Sequence, residues 1–345
     1  MRLAWSLDHN VPDSIERKLV DMADQRGIES LWTMENHHLR DGVTTAVATL
    51  ERTSRVPVVM GTLSPFFRHP IEIGLTTATL QRMYPGRVAL NLGVGMTETF
   101  ARIGSPVSAP VSAMRETVEV LHRFFSGESF AYEGRHFNIE KHRLSGDPVE
   151  MVPLVFSVMG PRLVRLAGEI ADAVNLPLAS TPEYTAVSVD RFVAGSREGG
   201  RQRDRQVVVQ EVLVQVGDGS DGWPGVRRLL GFHFASDYFK PVAAPSEFDI
   251  PHDAIRQAFI ARDMDQVFRL IPDEVVHSFA ALGSPAEVLD RVADYVKAGA
   301  DVVILYTAGD PESRVETMRR LMSEWADRDE SDPETEETRR LFASS

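Results

Sequence analysis

The sequence contains no cysteine, and this absence excludes several kinds of chemistry. Without thiols the chain forms no disulfides, carries no thiolate nucleophile and offers no cysteine ligand to zinc or to an iron–sulfur cluster. Positive charge is also scarce, because 37 Lys and Arg residues against 50 Asp and Glu residues give a net charge of −13. Such a surface repels nucleic acid and anionic membranes, so we expect neither as a partner.

Long apolar segments are missing as well. No apolar run approaches the roughly 18 residues of a membrane-spanning helix, and the N-terminus lacks the apolar segment of a secretory signal peptide. We therefore expect a cytoplasmic protein. HExxH, GxSxG and P-loop motifs are absent too, and we assign no metal ligands. The chemistry is left to a bound cofactor, to a metal held by nitrogen and oxygen atoms, or to ordinary acids and bases.

What the sequence does have is a regular alternation of short apolar runs with amphipathic stretches. Its 345 residues contain eight predicted strands, nearly all of them separated by a predicted helix. Strands that alternate with helices run parallel, and eight of them over this length predict an α/β fold of the (β/α)8 TIM-barrel type. A doubly wound open sheet is the alternative.

Two stretches interrupt this alternation. A predicted hairpin around Glu133-Gly134 follows the fourth helix, and a long segment with helical pieces, residues 217–278, follows the seventh strand. The aromatic residues of this insertion either line or cover a substrate pocket, or pack as the insertion's own small core. They are Trp223, Phe232, His233, Phe234, Tyr238 and Phe239. We predict a single barrel domain over residues 1–326 and a charged tail over residues 327–345.

In a TIM barrel the active site lies at the carboxyl ends of the strands, so the polar loops there are the candidates. The loop after the second strand contains Glu35, Asn36 and His37. These residues suit proton transfer or cofactor contacts, although a solvated loop would have the same composition. The loop after the third strand, residues 61–70, combines glycine with two prolines. It is either a stiff surface for a planar ring or a rigid connector.

The next two loops contain glycine where a strand ends. Gly93 and Gly95 permit close approach of the backbone to a ligand, but Glu98 occupies the third glycine position of a dinucleotide-binding fingerprint. Glu98 is instead a candidate acid. Gly160-Pro161 opens a helix whose N-terminus suits a phosphate group, or is an ordinary helix start.

Several of these motifs, taken in order, resemble one known family. The strongest block is residues 55–70, 78–80 and 84–95, and further matching segments are 132–137, 160–173 and 261–285. On these residues the chain resembles the luciferase-like flavin and deazaflavin oxidoreductases from Met1 to about Leu321. The resemblance is strongest to the branch that uses coenzyme F420 and includes methylenetetrahydromethanopterin reductase.

The resemblance implies roles for individual residues. It implies a cis peptide bond between Gly61 and Thr62 that lies against the cofactor ring. Further cofactor contacts are expected from residues at the ends of four strands: Glu35, Asn36, Leu63, Gly95, Met96, Thr97, Val158, Met159 and Gly160. Glu98 and His37 are the candidates for handling the proton of the reaction.

The resemblance also implies a reaction. We expect an F420-dependent oxidoreductase, present as a homodimer, that transfers a hydride between the deazaflavin ring and a small organic substrate. An FMN-dependent luciferase-like monooxygenase is the first alternative, because the family divides between the two cofactors. The second alternative is a cofactor-free barrel that acts as an interaction partner.

Overall fold

The computed structural model describes residues 1–7, 11–26, 28–331 and 341–342, without the side chains of Glu98 and residues 329–331. The strands in this part of the chain are β1 (Leu3–Ser6), β2 (Leu31–Trp32), β3 (Val58–Leu63), β4 (Val88–Gly93), β5 (Phe130–Glu133), β6 (Asn138–His142), β7 (Leu154–Ser157), β8 (Ala173–Leu176), β9 (Val207–Val216), β10 (Ala281–Gly283) and β11 (Val302–Thr307).

The helices of the described residues fill the intervals between the strands. They are α1 (Asp13–Arg26), α2 (Gly42–Arg52), α3 (Pro70–Met83), α4 (Thr97–Arg102), α5 (Pro110–Phe125), α6 (Pro161–Ile170), α7 (Pro182–Glu198), α8 (Pro224–Phe234), α9 (Lys240–Ala243), α10 (His252–Ile260), α11 (Met264–Leu270), α12 (Asp273–Phe279), α13 (Pro285–Lys297) and α14 (Pro311–Ser331). None of the described helices is long and apolar enough to cross a membrane.

The main sheet confirms the predicted fold class. Its nine strands follow the order β10-β9-β11-β1-β2-β3-β4-β7-β8, and β9 also pairs with β8. The eight strands other than β10 therefore close on themselves, with helices between successive strands, as in a (β/α)8 barrel. The strands are mostly apolar and buried, as expected of parallel strands covered on both faces. The open-sheet alternative is excluded.

The chain divides into two compact units. Among the described residues, the first unit contains 1–7, 11–26, 28–29, 176–190 and 208–331, and it carries β1, β9, β10 and β11 together with helices α8 to α12. Among the described residues, the second unit contains 30–175, 191–207 and 341–342, and it carries β2, β3, β4 and β7. The single domain over residues 1–326 stays a prediction.

The predicted hairpin is present. Strands β5 and β6 pair antiparallel on either side of Gly134, and Glu133 pairs with Asn138. The carboxylate of Glu116, on α5, accepts hydrogen bonds from the backbone N–H groups of Arg135 and His136 at 3.1 and 2.8 Å. These bonds attach the turn to the preceding helix.

The long interruption folds as helices α8 to α12, and its aromatic residues form a core. Phe234 and Phe239 are fully buried, and their rings contact each other with centroids 6.1 Å apart. Trp223 is 4% exposed, whereas Phe232 is 40% exposed. The interpretation that these aromatic residues pack as the insertion's own core therefore fits Trp223, Phe234 and Phe239.

Three features differ from the sequence-based expectation. The short helix α4 occupies residues that we expected to remain a loop, and β10 adds a strand that the sequence did not reveal. Helix α14 continues to Ser331, beyond the predicted boundary at residue 326. The rest of the predicted tail, apart from residues 341–342, lies outside the described residues.

Candidate active site

All predicted site residues belong to the second unit, where they lie at the end of β3 or follow β2, β4 and β7. Parallel strands present their carboxyl ends at one edge of the sheet, so these loops share that edge. Helices α2, α3 and α6 begin directly after three of the loops. The start of α2 is fixed by Asp41, whose Oδ1 accepts from Thr44 N at 2.7 Å. Pro70 and Pro161 stand in the first turns of α3 and α6.

Strand β3 ends in the irregular segment that the resemblance predicted. The peptide bond between Gly61 and Thr62 is cis, and the register with β4 shifts between Met60 and Leu63. Gly61 has φ 148°, and a Cβ atom there would lie 2.3 Å from the backbone oxygen of Asn91. Only glycine fits this position, because any larger residue would overlap the backbone of β4.

Two buried asparagines, on the strands that flank β7, each keep an acceptor without a partner among the described residues. Asn91, on β4, donates from Nδ2 to Thr62 Oγ1 at 3.1 Å, and Asn175, on β8, donates to Ser157 Oγ at 3.0 Å. They are only 2% and 8% exposed, yet neither Oδ1 atom has a hydrogen-bond partner among the described residues. An unsatisfied buried acceptor is costly, so these oxygens suit the N–H or O–H donors of a ligand.

The sequence analysis did not identify these two asparagines. The available signal is a single amide in an otherwise apolar buried strand: Asn91 in Val-Ala-Leu-Asn-Leu-Gly and Asn175 in Ala-Val-Asn-Leu. A polar residue in such a place needs a partner, and that requirement could have marked both positions.

Glu35 is held in an ion-pair cluster. Its Oε1 accepts from Arg68 Nε and Nη2 at 3.0 and 2.8 Å, and its Oε2 accepts from Gly42 N at 2.5 Å. The carboxylate is 3% exposed. Arg68 also pairs with Asp41 and, at 3.0 Å, with Glu72. The cluster joins the loop after β2 to the starts of α2 and α3, and it engages both oxygens of Glu35.

Asn36 begins a tight turn in the same loop. Its Oδ1 accepts from the backbone N–H of His38 at 3.0 Å, and its backbone pairs with that of Arg40. The amide oxygen therefore shapes the turn that carries His37.

His37 lies between two phenylalanine rings. Its ring is edge-on to Phe67, with centroids 4.4 Å apart, and to Phe100, with centroids 4.7 Å apart. Burial lowers the pKa of His37, Arg68 and His38 lower it further, and Glu35 opposes them. Nε2 is buried without a hydrogen-bond partner among the described residues. The imidazole is therefore neutral at neutral pH and has one nitrogen available.

The loop after β4 reaches the same phenylalanine. Gly95 has φ 77°, and a Cβ atom there would lie 2.4 Å from the ring of Phe100. Met96 and Thr97 are exposed at the start of α4. Glu98 lies within α4, and its side chain is outside the described part of the chain. Phe100 thus brings Gly95 and His37 together.

The loop after β7 is the last of the loops that contain predicted cofactor contacts. Val158 is buried, and Met159 and Gly160 are partly exposed. Gly160 is the N-cap of α6, and a Cβ atom there would meet open space. Leu63, at the end of β3, is fully buried and contributes to the apolar core beneath the loops.

A separate cavity of about 440 Å³ lies within the first unit, where it is lined by Trp223, Asp218, Asp273 and Glu287 among others. Its carboxylates already have partners: Asp218 accepts from Ser220 N, Glu287 caps α13, and Asp273 pairs with an arginine. No group of three potential metal ligands occurs among the described residues. This cavity therefore offers less unsatisfied polar chemistry than the strand ends of the second unit.

Comparisons with known proteins agree on one family. The profile of the luciferase-like monooxygenases matches residues 11–302. The chain is 25% identical over 299 residues to the 5,10-methylenetetrahydromethanopterin reductase of Archaeoglobus fulgidus, covering 85% of this chain and 88% of that protein. It is 26% identical over 302 residues to an F420-dependent glucose-6-phosphate dehydrogenase of Microbacterium testaceum, covering 84% of this chain and 85% of that protein.

A solved structure shares the fold. The coenzyme F420-dependent tetrahydromethanopterin reductase of Methanopyrus kandleri superimposes with a TM-score of 0.79. The two sequences are 20% identical, and the match covers 94% of this chain and 99% of that chain.

Proposed function

The chain belongs to the luciferase-like monooxygenase family, and within it we propose an F420-dependent oxidoreductase that transfers a hydride between a deazaflavin and a small organic substrate. The names of the archaeal reductase and the bacterial dehydrogenase support this choice over the family's other cofactor. The observation that carries the proposal is the pair of unpartnered amide oxygens on Asn91 and Asn175.

The residues at the strand ends fit a planar ring with polar edges. Gly61 and Thr62 would form the surface behind the ring, and Asn91 and Asn175 would accept hydrogen bonds from its donors. The segments that begin at Gly95 and Val158 would flank the tail and the phosphate. When bound, the deazaflavin accepts or donates the hydride.

The protein would then position the ring, exclude water and handle one proton. We assign the proton to His37 or Glu98. His37 fits as an acceptor because its pKa is lowered, chiefly by burial, and because Nε2 has no partner among the described residues. If His37→Ala and Glu98→Gln each leave turnover unchanged, the assignment is wrong.

The second candidate is an FMN-dependent monooxygenase, which the family's own description favours. A titration of the purified protein with coenzyme F420 and, separately, with FMN distinguishes the two, since the rings differ in absorption. We expect F420 to bind at least about tenfold more tightly than FMN. Tighter binding of FMN would favour the monooxygenase, and binding of neither ring would favour a cofactor-free interaction partner.

Variants locate the binding. Asn91→Leu and Asn175→Leu should each weaken F420 binding by about tenfold or more, because each removes an acceptor from the proposed ring site. Asn138→Leu is the matched control, since Asn138 is exposed on β6. Unchanged affinity in both buried variants would contradict the proposed site even if F420 binds.

We also propose a homodimer. Helix α3 leaves Leu75 and Met83 more than half exposed, at 53% and 56%, and such apolar residues suit a contact between copies. Light scattering on the purified protein tests this, and a monomeric mass over the micromolar range would refute it. The cytoplasmic location stays a prediction.

A further inference from the structure

The ring of Phe67, in the loop after β3, is 48% exposed, whereas the backbone that carries it is held in place. The N–H group of Phe67 donates to the backbone oxygen of Ser64 at 3.0 Å, and the Ser64 hydroxyl donates to the backbone oxygen of Val94 at 3.0 Å. Exposed side chains change rotamer within nanoseconds. The ring can therefore swing outward while the loop backbone stays where it is.

Phe100 is the fixed partner of this ring. The two phenyl rings lie parallel, with an interplanar angle of 5° and centroids 6.0 Å apart. Phe100 is fully buried, and a Cβ atom on Gly95 would lie 2.4 Å from it, so the backbone of the loop after β4 packs directly against its ring. A side chain in such close packing has no space to rotate into. Of the two rings, only Phe67 is therefore free to move.

The imidazole of His37 is enclosed by these two rings. It is nearly perpendicular to both, at 80° to Phe67 and 84° to Phe100, and its centroid lies 4.4 and 4.7 Å from theirs. The Nε2 atom is buried and has no hydrogen-bond partner among the described residues. All three side chains belong to the second unit. The contact with Phe67 is therefore the one through which the imidazole can be uncovered.

The enclosed arrangement does not allow His37 to work. A group that moves a proton must come within hydrogen-bond reach of its partner, directly or through one water molecule. Nε2 is shielded from solvent, so it meets neither water nor a ligand while both rings remain in place. Because a buried nitrogen without a partner is costly, the imidazole gains a hydrogen bond once it is uncovered. One ring has to leave before Nε2 can act.

We propose that Phe67 is a gate over His37: its ring covers the imidazole in the closed form and rotates outward to open access to Nε2. Phe100 is the fixed wall against which the gate closes. Because His37 is a candidate for the proton of the proposed reaction, this inference rests on the proposed function and adds the residue that regulates that site. Phe67 acts through His37 and is therefore a positioning residue.

Carbethoxylation by diethyl pyrocarbonate, located by fragment-ion mass spectrometry, measures access to each imidazole in the cofactor-free protein. The adjacent His38 is exposed and serves as the internal reference. A gate that is open in at most about a tenth of the molecules should make His37 react at least about tenfold more slowly than His38. Phe67→Ala should abolish this difference. Phe232→Ala is the matched control, because it removes a 40% exposed ring that lies beside His233, and it should preserve the difference.

The pKa of His37 gives a readout that a purely structural role of Phe67 would not change. Burial is the largest cause that lowers this pKa, so Phe67→Ala should raise it in an NMR titration, and Phe232→Ala should not. If Phe67→Ala does not fold, the wild type alone decides. Equal labelling of His37 and His38 in the wild type would overturn the proposal, and so would slow labelling of His37 in a folded Phe67→Ala protein.

Binding of F420 to the wild type separates this inference from the proposed function, since the labelling and the titration need no cofactor. If F420 binds but His37 is labelled as fast as His38, only the gate is wrong. If His37 is protected as expected but F420 does not bind, the proposed function is wrong and the gate remains a property of these three side chains.

Discussion

Replacing Arg68 by methionine tests the ion-pair cluster that fixes the loop after β2. The substitution keeps most of the apolar stem but removes the guanidinium group. Among the described residues, the buried Glu35 carboxylate then retains a single donor, the N–H group of Gly42 on its other oxygen. Breaking a buried ion pair from one side costs about 3–5 kcal/mol, because an uncompensated charge stays buried. We expect the free energy of unfolding to fall by that amount.

The reverse substitution should cost less. In Glu35→Gln, Arg68 still pairs with Asp41 and Glu72, and the loss should be about 1.5–3 kcal/mol, the worth of a hydrogen bond to a charged group. The double variant should lose less than the two single losses combined, because both remove one interaction. Arg17→Met, at an exposed position on α1, is the control and should change stability by less than about 0.5 kcal/mol.

Equilibrium unfolding in urea, followed by tryptophan fluorescence, measures these differences through the transition midpoint. A loss below about 1 kcal/mol for Arg68→Met, or strict additivity in the double variant, would refute the reasoning. The same variant offers a second readout on His37. Arg68 is one of the charges that lower the pKa of His37, so its removal should raise that pKa in an NMR titration of the imidazole.

Two further predictions concern stability. Gly61→Ala should lower the free energy of unfolding by more than about 1 kcal/mol, and the melting temperature with it, because its Cβ would lie 2.3 Å from the Asn91 oxygen. Gly160→Ala is its control, because a Cβ there meets open space, and it should cost less, since it loses only the preference of an N-cap for glycine over alanine. The free energy of unfolding of Glu211→Gln, measured relative to that of the wild type, should be higher at pH 8.5 than at pH 4 by up to about 3 kcal/mol. The pKa of Glu211 rises from 4.5 to about 7 on folding, so the wild type loses stability as the pH rises between those values. Urea unfolding of both proteins at both pH values checks this. A stability difference between variant and wild type that does not change with pH would contradict the raised pKa of Glu211.

Much of the fold follows from hydrophobic periodicity. The apolar runs around Val58–Leu63 and Val302–Thr307 are long enough and regular enough to predict buried strands, and Pro161 and Pro285 mark helix starts. Helix α4 was not predicted, because its sequence, Thr-Glu-Thr-Phe-Ala-Arg, has a single large apolar residue and therefore no hydrophobic periodicity. Strand β10 has only three residues, too few for a pattern.

The site was predictable in its location but not in its contacts. The loops that contain His37 and Gly95 follow strands, and the fold alone placed them at the active edge. The pairing of Glu35 with Arg68 joins residues 33 positions apart, and no local pattern shows it. Asn91 and Asn175 stand out in the sequence as single amides in apolar strands, but only the folded chain shows that their Oδ1 atoms lack partners among the described residues.

The central claim is that the strand ends of the second unit hold a deazaflavin. A crystal structure of the protein soaked with coenzyme F420 tests it most directly. The account predicts the ring against Gly61 and Thr62, hydrogen bonds from the ligand to the Oδ1 atoms of Asn91 and Asn175, and the phosphate near Gly160. A ring bound away from these residues, or crystals that exclude F420 while binding FMN at the same loops, would contradict the account.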